Sequence, residues 1–132
     1  MELFFETVTT RNGIFIIAHN IETNERVGGV SLWRSATYER YKHLCRGNYL
    51  LELIRIETYE EKYRRKGVAT ALLNEVIKRY GDYNIVLLCH PSNRCDEKYK
   101  NIQNLRKFYS KFGFISCGEL LPTMIRKATI TN

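Results

Sequence analysis

Apolar and polar positions change rhythm along the chain, and the changes mark its elements. Residues 2–8, "ELFFETV", and 13–20, "GIFIIAHN", read as strands joined through Asn12-Gly13, a hairpin signal. A second turn, "ETNE", leads to the strand "RVGGVSLW", with a bend expected at Gly28-Gly29. Residues 34–48, "RSATYERYKHLCRGN", mix polar and aromatic positions and predict one irregular helix or an excursion over the sheet. The run "YLLELIRIET" is a long strand, buried on part of both faces. Val68, Leu72, Val76 and Tyr80 then recur every fourth residue, with Ala69, Leu73 and Ile77 beside them. That spacing predicts a helix stopped at Gly81. "YNIVLLC" is a buried strand and "HPSNRCDEKYK" a polar loop. "NIQNLRKFYSKF" is an amphipathic helix through Ile102, Leu105, Phe108, Tyr109 and Phe112, ended by Gly113. "FISCGE" and "TMIRKATI" close the chain as strands. The order βββ(α)βαβαββ predicts an α/β or α+β fold, a mixed sheet with helices packed on it.

Length and charge narrow this picture. The 132 residues suit one domain, 1–132, and no repeat or Pro/Gly/Ser linker divides them. At 44% hydrophobic and 27% charged, the composition is that of an ordinary globular protein. A formal net charge of +7 favours an anionic partner: a phosphate-bearing cofactor, nucleic acid or an acidic protein. No run approaches the 18 or so apolar residues of a membrane span, and "MELFFETV", with an acidic second residue and no apolar h-region, is not expected to act as a signal peptide. Cys45, Cys89, Cys95 and Cys117 form no CxxC pair, so reduced thiols in a cytoplasmic protein are expected.

One stretch is costly on stability grounds. In "YRRKGVATALLNEVIKRY", Arg64, Arg65 and Lys66 crowd the start of a helix, an end that already carries partial positive charge. An anion in the gap resolves the conflict. Gly67 lets the backbone approach a ligand and Ala69 keeps the first turn slim. The free N–H groups from about Arg65 to Thr70 would converge on one spot, which suits a diphosphate. No GxxxxGK[ST] or GxGxxG occurs anywhere in the chain.

Arg64 to Ala69 fits R-x-x-G-x-A between a strand and a helix, and "FYSKFGF", residues 108–114, follows on a second helix. In these two motifs and their order the chain resembles the GNAT superfamily of N-acetyltransferases. The resemblance implies a GNAT-like fold: a mixed, mostly antiparallel sheet of six to seven strands with helices on both faces. It implies acetyl-CoA as co-substrate, with pantetheine between "LIRIET" and "NIVLL" where the strands splay. The diphosphate would lie on Arg64, Arg65, Lys66, Gly67, Val68, Ala69 and Thr70. A backbone N–H near Ile56, Glu57 or Thr58 would polarise the acetyl carbonyl.

By the same resemblance, a primary amine of a small molecule, peptide or protein attacks directly. Tyr109 stands where the family places the acid that protonates the leaving thiolate; its alternative is a core-facing helix tyrosine. An ammonium acceptor needs a base, and Glu52, Glu57 and Glu97 are the candidate carboxylates, with Glu52 preferred. Counting by twos along the strand puts Glu57 on the opposite face from Glu52. Two departures stand out. Ile102 occupies the place where many relatives carry Asn, and the two helices that usually follow the first strand are missing.

Other groupings carry less. Cys89, His90 and Cys95, with His43 and Cys45, match no common zinc spacing, so no metal is expected. "RYKHLCR" and "RKFYSK" mix cations with aromatics, as nucleic-acid surfaces do, but equally as helix faces with aromatics inward. The competing reading is a non-catalytic module on the same fold, binding CoA, protein or nucleic acid. Monomer and homodimer are both left open.

Overall fold

The computed structural model describes residues 1–35, 38–47, 49–89, 102–117 and 122–129. Strands β1 (Leu3–Thr9), β2 (Gly13–Asn20) and β3 (Arg26–Arg34) lead to a short helix, α1 (Tyr38–Tyr41), and a 3-10 turn over Lys42–Leu44. There follow β4 (Leu50–Thr58), α2 (Val68–Tyr80), β5 (Asn84–Leu88), α3 (Ile102–Ser110), β6 (Ile115–Ser116) and β7 (Thr123–Arg126). The strands form a seven-stranded sheet in the order β1-β2-β3-β4-β5-β7-β6. Strands β1 to β4 are joined by connections that return the chain beside itself, so they pair antiparallel. The β4–β5 pair is parallel, and a parallel pair needs a crossover, which α2 supplies. The sheet is thus mixed, as the pattern of elements predicts, and mostly antiparallel, as the family resemblance implies.

Both faces are covered in part. On one, Ile16, Val30, Leu32, Leu53, Ile85 and Leu87 share a core with Leu72 and Val76 of α2 and Leu105 and Phe108 of α3. On the other, Leu50, Val86 and Ile125 lie under Tyr38, Tyr41 and Leu44, so the α1 segment is an excursion over the sheet. Toward β1 the second face is open: Phe4, Val8 and Trp33 are 41%, 41% and 38% exposed.

The turns match the sequence in place more than in chemistry. The first hairpin is closed by Thr10, whose N–H donates to the Gly13 carbonyl at 2.8 Å and whose Oγ1 accepts from the Gly13 N–H at 3.1 Å. Gly13 is already the first residue of β2, so the turn is not a two-residue Asn-Gly turn. In the second turn Asn24 takes the left-handed conformation, φ 60°.

The bend expected at Gly28-Gly29 falls one residue earlier. Ala18 pairs with Gly28 and His19 with Arg26, which leaves Val27 as the extra residue of a bulge. Gly28 has another purpose: a Cβ there would lie 2.7 Å from both the Glu57 carbonyl oxygen and the Val68 side chain. Its bare backbone lets α2 seat on β3. Gly28→Ala is therefore expected to destabilise the protein by about 1–3 kcal/mol through overpacking. Thermal denaturation checks this; an unchanged melting temperature would mean that α2 retreats at no cost.

Asn84, fully buried at the start of β5, acts as a polar hub. Its Nδ2 donates to the carbonyls of Arg46 and Tyr49, both at 2.8 Å. Its Oδ1 accepts from the N–H groups of Arg46 and Ala128, both at 2.9 Å. One side chain so ties the segment before β4 and the segment after β7 to the parallel pair.

Candidate active site

Strands β4 and β5 run together only briefly. Their ladder covers Leu50–Leu53 against Asn84–Leu87. Beyond it β4 continues to Thr58 beside β3, while β5 ends at Leu88, paired with Thr123 of β7. Where the ladder stops, Ile54 and Leu88 are 53% and 44% exposed. Two large apolar side chains are thus left exposed at the point where the strands diverge.

A second bulge sits at the same point. Leu32 pairs with Leu53 and Ser31 with Arg55, so Ile54 is the extra residue on β4. The bulge shifts the alternation of faces. Leu51 and Leu53 face the main core, and after the bulge Ile56 does so. Glu52, opposite Trp33, and Arg55 and Glu57, opposite Ser31 and Gly29, therefore share the other face. This corrects the expectation that Glu52 and Glu57 face opposite ways: counting by twos fails across an inserted residue. Glu52 is half-buried between Trp33 of β3 and Val86 of β5.

Glu57 is the more enclosed of the pair's two charges, its side chain 18% exposed against 55% for Arg55, which meets it at 3.2 Å. The two line a cleft of about 200 Å³ together with Val8, Phe15, Ile17 and Tyr59. Burial, and then the nearby Glu57 charge, push the Tyr59 hydroxyl above its ordinary pKa. Gly29 makes room for that ring: a Cβ there would sit 2.4 Å from the Tyr59 oxygen.

The basic turn is built between β4 and α2. Tyr63, buried in the core, donates its hydroxyl to the Glu25 carboxylate, and Lys62 also reaches Glu25, at 3.5 Å. The hydroxyl and then the Lys62 charge hold Glu25 below the usual carboxylate range. Past this anchor the backbone takes left-handed conformations at Arg65, φ 63°, and Gly67, φ 79°. A left-handed arginine is strained, which is typical of functional turns.

Helix α2 begins at Val68 with Gly67 as its cap, no side chain capping it and no acid in its first turn. Its leading N–H groups are open to an outside acceptor. A Cβ at Gly67 would meet nothing within 4 Å, so the backbone can be approached closely from outside. The Arg64 Nε is buried without a protein partner. Lys66, Gly67 and Thr70 are exposed, Ala69 is half-buried and Val68 is in the core. Together these features fit an anion at the α2 terminus.

Tyr109 lies on α3 in the same core as α2, 6% exposed, with ring centroids 5.3 Å from Phe108 and 5.8 Å from Phe114. Glu97 lies outside the described residues, as do His90 and Cys95. Among the described residues no group of three His, Cys, Asp or Glu could hold a metal ion. Cys45, Cys89 and Cys117 are free, and burial raises the pKa of each thiol. No helix among the described residues is long and apolar enough to cross a membrane.

Sequence reasoning passed over Ile54, Leu88, Arg55, Tyr59 and Gly29. The usable signal was exposure at a point of divergence, which becomes visible only once the sheet is assembled.

Comparison with known proteins places this architecture. Residues 11–116 match the sequence profile of the acetyltransferase (GNAT) domain. No curated protein sequence matches significantly. Among solved structures, a Corynebacterium glutamicum protein described as histone acetyltransferase HPA2 and related acetyltransferase superposes with a TM-score of 0.65 at 20% identity. The match covers 92% of this chain and 67% of that one. Arabidopsis thaliana NAA60, in complex with a bisubstrate analogue, gives 0.62 at 18%, covering 89% and 76%. A Bacillus anthracis protein assigned as a streptothricin acetyltransferase, in complex with acetyl coenzyme A, gives 0.54 at 23%, covering 84% of this chain and about half (52%) of that one. At these identities the likeness is one of fold.

Proposed function

The chain belongs to the GNAT acetyltransferase family, and on that premise we propose that it transfers the acetyl group of acetyl-CoA to a primary amine. The observation that carries this reading is the β4–β5 ladder ending after Leu53–Leu87, beside an uncapped, cation-flanked α2 terminus. That combination supports a pantetheine between the diverging strands and a diphosphate on the α2 terminus.

Acetyl-CoA supplies an acyl group activated as a thioester. In this reading the amides from Arg65 to Thr70 hold its diphosphate, with Arg64 and Lys66 adding charge. A backbone N–H of Ile56, Glu57 or Thr58 polarises the acetyl carbonyl. Glu52 takes a proton from the acceptor ammonium; Glu57, on the same face, is the alternative base. Tyr109 holds the proton that the departing sulfur needs. Among the described residues the thiols of Cys45, Cys89 and Cys117 are free, which fits a reducing, cytoplasmic setting.

A second reading, a non-catalytic module that binds CoA, protein or nucleic acid, has its own support. Tyr109 packed between Phe108 and Phe114 is also how a purely structural tyrosine would sit. Acetyl-CoA binding without turnover would favour it.

Titration with acetyl-CoA tests the premise. Binding should weaken with salt and should fall at least about tenfold in Gly67→Asp, which places a side chain and a negative charge where the diphosphate rests. A protein whose melting temperature and calorimetric trace ignore acetyl-CoA at about millimolar concentration would rule the co-substrate out.

A further inference from the structure

We infer that the acceptor enters on the open face of β1–β4, through the cleft of Phe15, Ile17, Arg55, Glu57 and Tyr59, and carries its primary amine beside a single aromatic or branched apolar group. The inference rests on the acetyl-transfer reading and adds the side of entry and the kind of amine.

Position comes first. The cross-strand row Phe15–Ser31–Arg55 lies immediately next to the Ile54 bulge, where β4 leaves β5. Helix α2 with its basic turn contributes to the core on one face, and the cleft opens on the other. The bulged strand is therefore reachable from two sides, with the cleft as the side that holds no diphosphate seat.

Size comes next. A cleft of about 200 Å³ is smaller than the roughly 300–1,000 Å³ of drug-sized ligand sites, so it takes one side-chain-sized group. Its depth depends on Gly29, because the Tyr59 ring occupies the space a side chain would need.

Charge settles the class. The cleft has one recessed carboxylate, Glu57, with Arg55 at its rim, in a chain of net charge +7. A polycationic acceptor meets net repulsion there, while a lone ammonium can exchange with Arg55 for Glu57. The rest of the lining includes Ser31, Tyr59 and the apolar Val8, Phe15 and Ile17, so the body attached to the amine is mainly apolar. A free small amine and a peptide N-terminus with an apolar first residue share this chemistry.

The test follows release of free CoA thiol from acetyl-CoA with 2-phenylethylamine, 3-methylbutylamine, ethanolamine, spermidine, and tetrapeptides beginning with Phe or Lys. The apolar monoamines, the Phe-first peptide or both should exceed their polar counterparts at least about tenfold in kcat/KM, and which arm responds identifies the source. Ser31→Phe, which fills the cleft, should raise KM for the preferred acceptor with acetyl-CoA affinity unchanged. Phe15→Ala, which widens it, should shift preference toward bulkier amines. Preference for spermidine or ethanolamine, turnover of none of the panel, or a folded Ser31→Phe with unchanged KM would overturn the inference while leaving acetyl-CoA binding in place. Native protein that does not bind acetyl-CoA would instead remove the reading beneath it.

Discussion

Tyr109→Phe is expected to lower turnover by about ten- to a thousand-fold, within the range of general-acid catalysis partly replaced by water. Acetyl-CoA affinity should stay near that of the native protein, because the change removes only a hydroxyl from a buried helix position. The ring contacts with Phe108 and Phe114 need no oxygen, so the fold should persist, with a stability loss of about 1–2 kcal/mol, the order of one buried hydrogen bond. Steady-state kinetics with a saturating amine, set beside calorimetric titration of acetyl-CoA, separate the possibilities. A fall in kcat with binding intact assigns the proton to Tyr109. A change in KM alone makes it a residue that positions substrate. Kinetics identical to the native protein's would leave it a core tyrosine.

The largest stability effect is expected at Asn84. Asn84→Leu keeps roughly the volume but strands the Ala128 N–H in a buried place and removes the partners of the Arg46 amide and carbonyl. Each buried group left without a partner costs about 1–3 kcal/mol; those of Arg46, an exposed residue, can turn to water. A loss of about 2–4 kcal/mol follows, lowering the melting temperature by roughly 10 °C. Thermal unfolding monitored by circular dichroism checks this. A loss below about 1 kcal/mol would mean that water replaces all four hydrogen bonds.

The strands of this sheet were legible because their apolar runs are interrupted by unmistakable turns, such as "TTRNG" and "ETNE". The α2 helix was legible because Val68, Leu72 and Val76 keep a strict helical spacing and all end up buried. Face assignments fared worse. In β3 and β4 one residue in each strand, Val27 and Ile54, is inserted without an opposite partner. An apolar bulge residue looks like any other strand residue in one dimension, so the phase of everything after it is misread.

The anion turn could be read because its chemistry is concentrated in consecutive residues, Arg64 to Thr70. The cleft could not. Its wall joins Val8, Phe15 and Gly29 from three different strands to Tyr59 just past β4, and none of them is unusual alone. Gly29 illustrates the difference. As a letter it suggested a flexible bend; in the sheet it is the floor under an aromatic ring.

The brevity of the β4–β5 ladder has a consequence for how the molecule assembles. Strands β1 to β3 can zip together through short turns and β4 joins them antiparallel after the α1 excursion, whereas β5 must wait for α2 to cross over. The chain is thus two folding segments sewn together by a four-residue seam, Leu50–Leu53 against Asn84–Leu87, pinned at one end by Asn84. Strain or thermal opening would part this seam before it unravelled the meander of strands on its left, which has longer ladders throughout. Any molecule lying in the divergence between the two strands would act as a clasp across that seam.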